Sequence, residues 1–138
     1  WQKLPGNSMA RKIIPDVVSD QDIVSLDESA TVLDAARLMS QRSINAVLIM
    51  DGEALRGIFT ARDLARRVVA ADRGLDTPLA EVMTTNPETV AADAQPVEAL
   101  RRMFHGGFRH LPVVDGTRVV GLVSRRDLFE EEERLARD

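Results

Sequence analysis

The chain contains no cysteine. That excludes disulfides, thiolate catalysis and Cys-ligated zinc or iron–sulfur centres, and it suits a reducing cytoplasm, the location expected. Aromatic residues make up only 4%, too few for a base-stacking platform on a nucleic acid. Positive charge is not in excess. Lys and Arg number 18 against 22 Asp and Glu, a formal net charge of −4, which argues against a nucleic-acid partner. No apolar run reaches the roughly 18 residues of a membrane-spanning helix, and no signal-peptide pattern opens the sequence. No Gly-x-x-x-x-Gly-Lys loop occurs, the glycine spacing fits no dinucleotide fingerprint, and no local signature marks a nucleophile. His105 and His110 are badly spaced for a metal, and no third ligand is evident, so no metal site is expected.

What is present is an ordinary globular composition: 138 residues, 44% hydrophobic and 29% charged, enough for one domain or two fused halves with a real core. Residues 1–8, Trp1 to Ser8, show no periodicity and precede Met9. They read as a remnant of expression cloning, against the alternative of a native arm packed on the body.

The rest of the chain repeats itself. Shifting it by 64 positions lays Ala35 on Ala99, Arg37 on Arg101 and Met39 on Met103. The same shift lays Asp51-Gly52 on Asp115-Gly116, Gly57 on Gly121 and Arg62-Asp63-Leu64 on Arg126-Asp127-Leu128. Two copies are too few for a solenoid, so a paired, pseudo-twofold arrangement is expected. The boundaries read as 9–75 for the first repeat with its lead-in and 76–138 for the second with its C-terminal helix.

Each copy reads β-α-β-β-α. A short extended piece comes first, at 23–26 and again at 88–90. A helix follows. In the first copy Val32, Ala35, Ala36 and Met39 form one stripe, and Thr31 and Asp34 have capping-box spacing. In the second, Pro96 suits the first helical position, Val97, Leu100, Met103 and Phe104 make the stripe, and Gly106-Gly107 ends it. Two apolar runs around Asp-Gly then predict a hairpin. Pro112, lacking an N–H, implies an edge or strand-start position. A second helix follows at 63–71, with its copy starting at Arg125 or Arg126, and Thr77-Pro78 starts a short helix through Met83. The class is α+β, or mixed α/β, with helices packed on the sheets.

Strand passes to helix through Gly57-Ile58-Phe59-Thr60-Ala61-Arg62-Asp63 and through Gly121-Leu122-Val123-Ser124-Arg125-Arg126-Asp127. Two readings stand. A hydroxyl three residues before an acid is a helix capping box. The same turn offers unpaired N–H groups and partial positive charge to an anion, an Arg and a hydroxyl as donors, and a carboxylate suited to paired sugar hydroxyls. That combination fits a ribose-phosphate better than a bare phosphate.

With these motifs, Phe108-Arg109-His110-Leu111-Pro112-Val113-Val114-Asp115 and the lead-in Val82-Met83-Thr84, the chain resembles a CBS-domain pair, or Bateman module, over about residues 12 to 131. The resemblance implies a non-catalytic regulatory module, energy sensing among its roles, that holds AMP, ADP, ATP, NAD or S-adenosylmethionine in a cleft between the repeats. Carried over, one site comprises Thr60, Arg62, Asp63, Thr84, Pro87, Glu88 and Thr89, with Arg109 and His110 for phosphates. The other comprises Ser124, Arg126, Asp127, Asp20, Ile23, Val24 and Ser25, bordered by Ile44 and Asn45. Asp20 stands where the second copy has Thr84, and Asn45 and Ala46 stand where it has Arg109 and His110. Unequal sites are therefore expected, with that of Asp63 favoured for phosphate. The resemblance also implies a homodimer through helices, and an unidentified protein target. Leu64, Val68, Val69 and Leu128 either face a second copy or pack inside one chain. The alternative function is a dimerisation or interaction scaffold with vestigial ligand sites.

Overall fold

The structure is a computed structural model and describes residues 10–137. The reading of residues 1–8 falls outside that range. The chain forms two compact units, and their limits cut across the sequence repeat. One is contiguous, Ile23–Pro87; the other joins the stretch up to Asp22 to Glu88–Asp138. Each unit thus contains the hairpin of one repeat and the lead-in of the other.

The contiguous unit opens with β1 (Ser25–Leu26) and α1 (Val32–Arg42). The capping box of α1 forms as its spacing predicts: the Asp34 N–H donates to Thr31 Oγ1 at 3.2 Å, and the Thr31 N–H donates to Asp34 Oδ2 at 2.9 Å. The helix ends at Ser43 in the left-handed region. The hairpin joins β2 (Ala46–Asp51) to β3 (Ala54–Thr60) through Gly52, whose φ of 61° suits glycine. β1 runs parallel to β2, and β4 (Thr84–Thr85) closes the other edge antiparallel to β3. The sheet order is therefore β1-β2-β3-β4. After β3, α2 begins at Ala61–Asp63 and continues through the wider turn Leu64–Val69. The apolar faces of these elements meet in a core of Val32, Ala35, Met39, Val47, Ile49, Phe59 and Val68, with Leu79, Val82 and Met83 from the lead-in of the second repeat. Burying one such side chain contributes about 1.5–3 kcal/mol.

The discontinuous unit repeats the plan. It contains β5 (Val90–Ala91), α3 (Pro96–Gly106), β6 (His110–Asp115), β7 (Arg118–Ser124), a tight turn Arg125–Leu128 and α4 (Phe129–Arg137). Pro96 takes the first helical position, and Gly107 ends α3 at φ 73°. A one-residue bulge opposite Ile49/Met50 in the first hairpin recurs opposite Val113/Val114 in the second. The core includes Ile13 and Val18 of the lead-in, with Leu100, Met103, Leu111, Val123 and Leu128.

One expectation needs correction, and one open alternative is narrowed. Pro112 lies in β6, the middle strand of the order β5-β6-β7, not at an edge or a strand start. Its missing N–H forgoes the bond that Leu48 makes to Val24 in the first repeat, and the β5 pairing begins only at Val90 opposite Val113. Val68 and Leu128 are each 1% exposed, so of the two readings for these residues the interior one holds. Leu64 is half-buried against the core, and Val69 alone of the four is open, at 69%.

Candidate functional site

The two strand-to-helix turns form the same hydrogen-bonded box. In the contiguous unit, Asp63 Oδ2 accepts from the Thr60 N–H at 3.0 Å and from the Thr60 hydroxyl at 3.2 Å. The Asp63 N–H donates back to Thr60 Oγ1 at 3.2 Å. In the discontinuous unit, Asp127 Oδ2 accepts from the Ser124 N–H at 2.8 Å and its hydroxyl at 3.0 Å, and the Asp127 N–H returns a bond at 3.3 Å. The capping reading is therefore realised in both copies. It occupies one carboxylate oxygen of each Asp and leaves Oδ1. In Asp63 that atom faces Arg67 Nε at 3.6 Å, while Arg67 Nη1 donates to the Met83 carbonyl at 3.0 Å. Among the described residues no salt bridge is recorded for Asp127, and that side chain is exposed.

The hairpin register decides what lies beside each turn. Ala46 pairs with Thr60, and the Asn45 carbonyl accepts the Ala61 N–H at 2.9 Å. Likewise His110 pairs with Ser124, and the Arg109 carbonyl accepts the Arg125 N–H at 2.8 Å. Within their own units, Asn45 thus adjoins Thr60–Asp63, and Arg109 and His110 adjoin Ser124–Asp127. The sequence reading had grouped each of these with the other site. His110 is half-buried. Loss of hydration pushes its pKa below the usual 6.5; the Asp127 carboxylate opposes the shift, and the Arg109 guanidinium adds to it.

In the contiguous unit, Arg62 is exposed and Thr84 sits in β4 opposite Ile58. Pro87 and Ile23 are half-buried at the limits of the unit. The Val24 carbonyl is taken by the Leu48 N–H at 3.2 Å, Ser25 lies in β1, and the Ile44 N–H donates to the Met39 carbonyl at 3.0 Å. In the discontinuous unit, Asp20 holds a positive φ of 51°, and Arg126 is exposed. Glu88 and Thr89 are held by a residue the sequence reading missed. Arg102 Nη1 donates to the Thr89 carbonyl at 3.1 Å and lies 3.7 Å from Glu88, while its Nε bonds Glu98 at 2.9 Å. The signal available was an Arg on α3 where the first repeat has Leu38. No group of three or more potential metal ligands occurs among the described residues, and no described helix is long and apolar enough to cross a membrane.

Two like hairpins, each followed by a capped turn with a carboxylate Oδ1 outside the cap, define a tandem α/β repeat. The CBS domain family model matches residues 14–70 and 79–134, and the chain belongs to that family as a tandem CBS-domain pair. It is 43% identical over 102 residues to the CBS domain-containing protein CBSCBSPB5 of Arabidopsis thaliana, covering 72% of this chain and 19% of that protein. The chain thus spans about a fifth of the length of that relative. The CBS domain protein PAE2072 of Pyrobaculum aerophilum, solved with AMP, superposes with TM-score 0.77 at 26% identity, covering 86% of this chain and 92% of that one. The CBS domain pair of protein MJ0100, solved with 5′-methylthioadenosine and S-adenosyl-L-methionine, gives TM-score 0.74 at 26% identity, covering 83% and 90%.

Proposed function

We propose that this chain is a non-catalytic regulatory module that binds an adenosine-containing ligand of the AMP, ADP, ATP, NAD or S-adenosylmethionine class and signals by a change in conformation or association. The observation that carries the reading is the pair of intact hydroxyl–Asp turns, each with a carboxylate Oδ1 outside the capping box. A ribose presents two adjacent hydroxyls that need such an acceptor, and the first turn of a helix favours the phosphate beside it. Two related CBS proteins hold adenosine compounds.

In this reading Asp63 and Asp127 take the ribose hydroxyls, and Thr60 and Ser124 hold each carboxylate in place and reach ribose or phosphate. Arg62 and Arg126 supply phosphate donors. The resemblance assigns Thr84, Pro87, Glu88 and Thr89, with Arg109 and His110, to the Asp63 set, and of these Thr84 and Pro87 lie in its unit. It assigns Asp20, Ile23, Val24, Ser25, Ile44 and Asn45 to the Asp127 set, and of these Asp20 lies in its unit. Binding to one arrangement only would shift the population toward it.

A thermal-shift screen with AMP, ADP, ATP, NAD and S-adenosylmethionine on nucleotide-free protein tests this. A ligand at about a hundred times its Kd adds about 2.7 kcal/mol, a clear rise in Tm. Asp63→Ala and Asp127→Ala are expected to reduce the shift unequally; equal losses would contradict unequal sites. No shift with any of the five overturns the nucleotide reading.

A second reading, an association scaffold, is favoured by one observation: Phe104, Phe129 and Leu135 are exposed at 55%, 63% and 46% on α3 and α4. We propose self-association through these helices. Light scattering at micromolar concentration should give the mass of a dimer, and a monomer would refute it.

A further inference from the structure

The lead-in of the discontinuous unit is tied down at both ends. At its start, the N–H groups of Ile13 and Ile14 donate to the carbonyls of Ala94 and Ala92 at 2.9 and 3.0 Å. At its end no strand forms. Instead the carboxamide of Gln21 engages both backbone groups of Leu122: Nε2 donates to the carbonyl at 3.0 Å, and Oε1 accepts from the N–H at 2.9 Å. In the contiguous unit the same edge is closed by main chain, with Thr84 and Thr85 paired to Ile58 and Gly57. Leu122 is the repeat equivalent of Ile58. A carboxamide carries a donor and an acceptor as a peptide group does, so one side chain stands in for a strand. Gly121 permits the approach, because a Cβ there would lie 2.6 Å from Gln21 Oε1. This clip sits one residue from Asp20 and two residues before Ser124.

We propose that Gln21 is a positioning residue for the Ser124–Asp127 site. By clipping the lead-in to β7 it holds Asp20 and the strand end that presents the Ser124 hydroxyl in one arrangement. Both its polar atoms are spent on Leu122, so it acts through these neighbours and not on the ligand. The inference rests on the nucleotide reading above, and it assigns the two sites different supports: main chain beside Thr60, one exposed side chain beside Ser124.

The test is calorimetric titration with AMP in two backgrounds. Asp63→Ala leaves the Asp127 site, and Asp127→Ala leaves the Asp63 site; Thr60 and Ser124 remain as helix caps in both. Gln21→Met, of similar length but without hydrogen bonds, is added to each. The expected result is an affinity loss of about fivefold or more in the Asp63→Ala background, the scale of one or two lost hydrogen bonds. In the Asp127→Ala background the loss should stay under about twofold. Gln21→Glu, which keeps an acceptor for the Leu122 N–H, should restore part of the difference. Equal losses, or none in either background, overturn the proposal. So does a gain in affinity, which would mean that the amide competes with ligand for the Leu122 edge. Hydrogen exchange at the Leu122 amide separates the two ways of failing. Faster exchange in Gln21→Met, with none of AMP, ADP, ATP, NAD or S-adenosylmethionine bound by the unsubstituted protein, overturns the nucleotide reading while the clip stands. Unchanged exchange overturns the clip itself.

Discussion

Leu48 and Pro112 hold the same place in the two repeats, and the difference between them reaches the neighbouring strand. The Leu48 N–H donates to the Val24 carbonyl at 3.2 Å. Pro112 has no N–H for the equivalent residue, Glu88, and there the strand begins only at Val90. The segment left without that bond is held by Arg102 instead, through the Thr89 carbonyl at 3.1 Å. Ala61 and Arg125 differ in the same sense. Ala61 is a small first helical residue, whereas Arg125 bonds Glu132 at 3.0 and 3.3 Å and lies 4.4 Å from the centre of the Phe104 ring. With Gln21 set against Thr84–Thr85, the pattern is consistent. At these places the contiguous unit uses main chain, although Arg67 also ties its second helix to the Met83 carbonyl, and the discontinuous unit uses long polar side chains. Side-chain links of this kind are replaceable one at a time, so these places in the second unit are open to tuning by point substitution.

The contrast can be broken most severely in the cores. Phe59 and Val123 are repeat equivalents, each fully buried. Phe59→Ala should cost about 3–5 kcal/mol, and Val123→Ala about 1–3 kcal/mol, read from urea unfolding midpoints. The glycines sharpen it next. A Cβ on Gly57 would meet the Thr84 carbonyl oxygen at 2.8 Å and Met83 Sδ at 2.6 Å, whereas on Gly121 its nearest neighbour is the end of the Gln21 side chain. Main chain cannot step aside, so Gly57→Ala should cost about 2–3 kcal/mol and Gly121→Ala under about 1 kcal/mol. Thermal melts of the two variants give the order directly.

Much of this was legible in the chain itself. The hairpins at Asp-Gly and the Thr31 and Pro96 helix starts follow from short-range patterns that the structure reproduces. What escaped was non-local. Nothing around Val18 or Val82 says that each packs in a core built mainly from the other repeat. Pro112 signals a lost ladder bond, but nothing in β6 says that Arg102 holds the segment opposite it. Arg102 and Gln21 look like surface residues, and only the fold brings them to main-chain atoms. The hydroxyl–Asp turns were found because the capping box and the candidate site share one spacing; the neighbours of those turns depend on pairing across the hairpin.

Smaller effects sharpen the comparison further. Thr60→Ala and Ser124→Ala each remove one cap and should each cost about 1 kcal/mol, so matched drops in Tm are expected. A Ser124→Ala loss well above that of Thr60→Ala would show that the clipped unit depends more on its cap. The smallest effect is with pH. His110 has a folded pKa below 6.5 through burial, so below 6.5 the unfolded chain binds the proton more readily. Stability from this residue is therefore present above 6.5 and is lost as pH falls from there toward the folded value. Ala46 holds the equivalent place in the other repeat. His110→Gln should flatten the fall in Tm between about pH 7.5 and 5, and an unaltered slope would assign that fall to other groups.

The division of the chain also sets a timetable for synthesis. Ile23–Pro87 is one uninterrupted stretch, so all its contacts can form once Pro87 has left the ribosome. The other unit must bring Ile13 against partners as late as Leu128, and it has to wait for them. Non-local closure of that kind is slow, and domains completed early fold early on a growing chain. The nascent protein would then carry a finished middle while the lead-in ahead of it still waits for its partner, with Ile13 and Val18 the apolar side chains in need of protection during that interval.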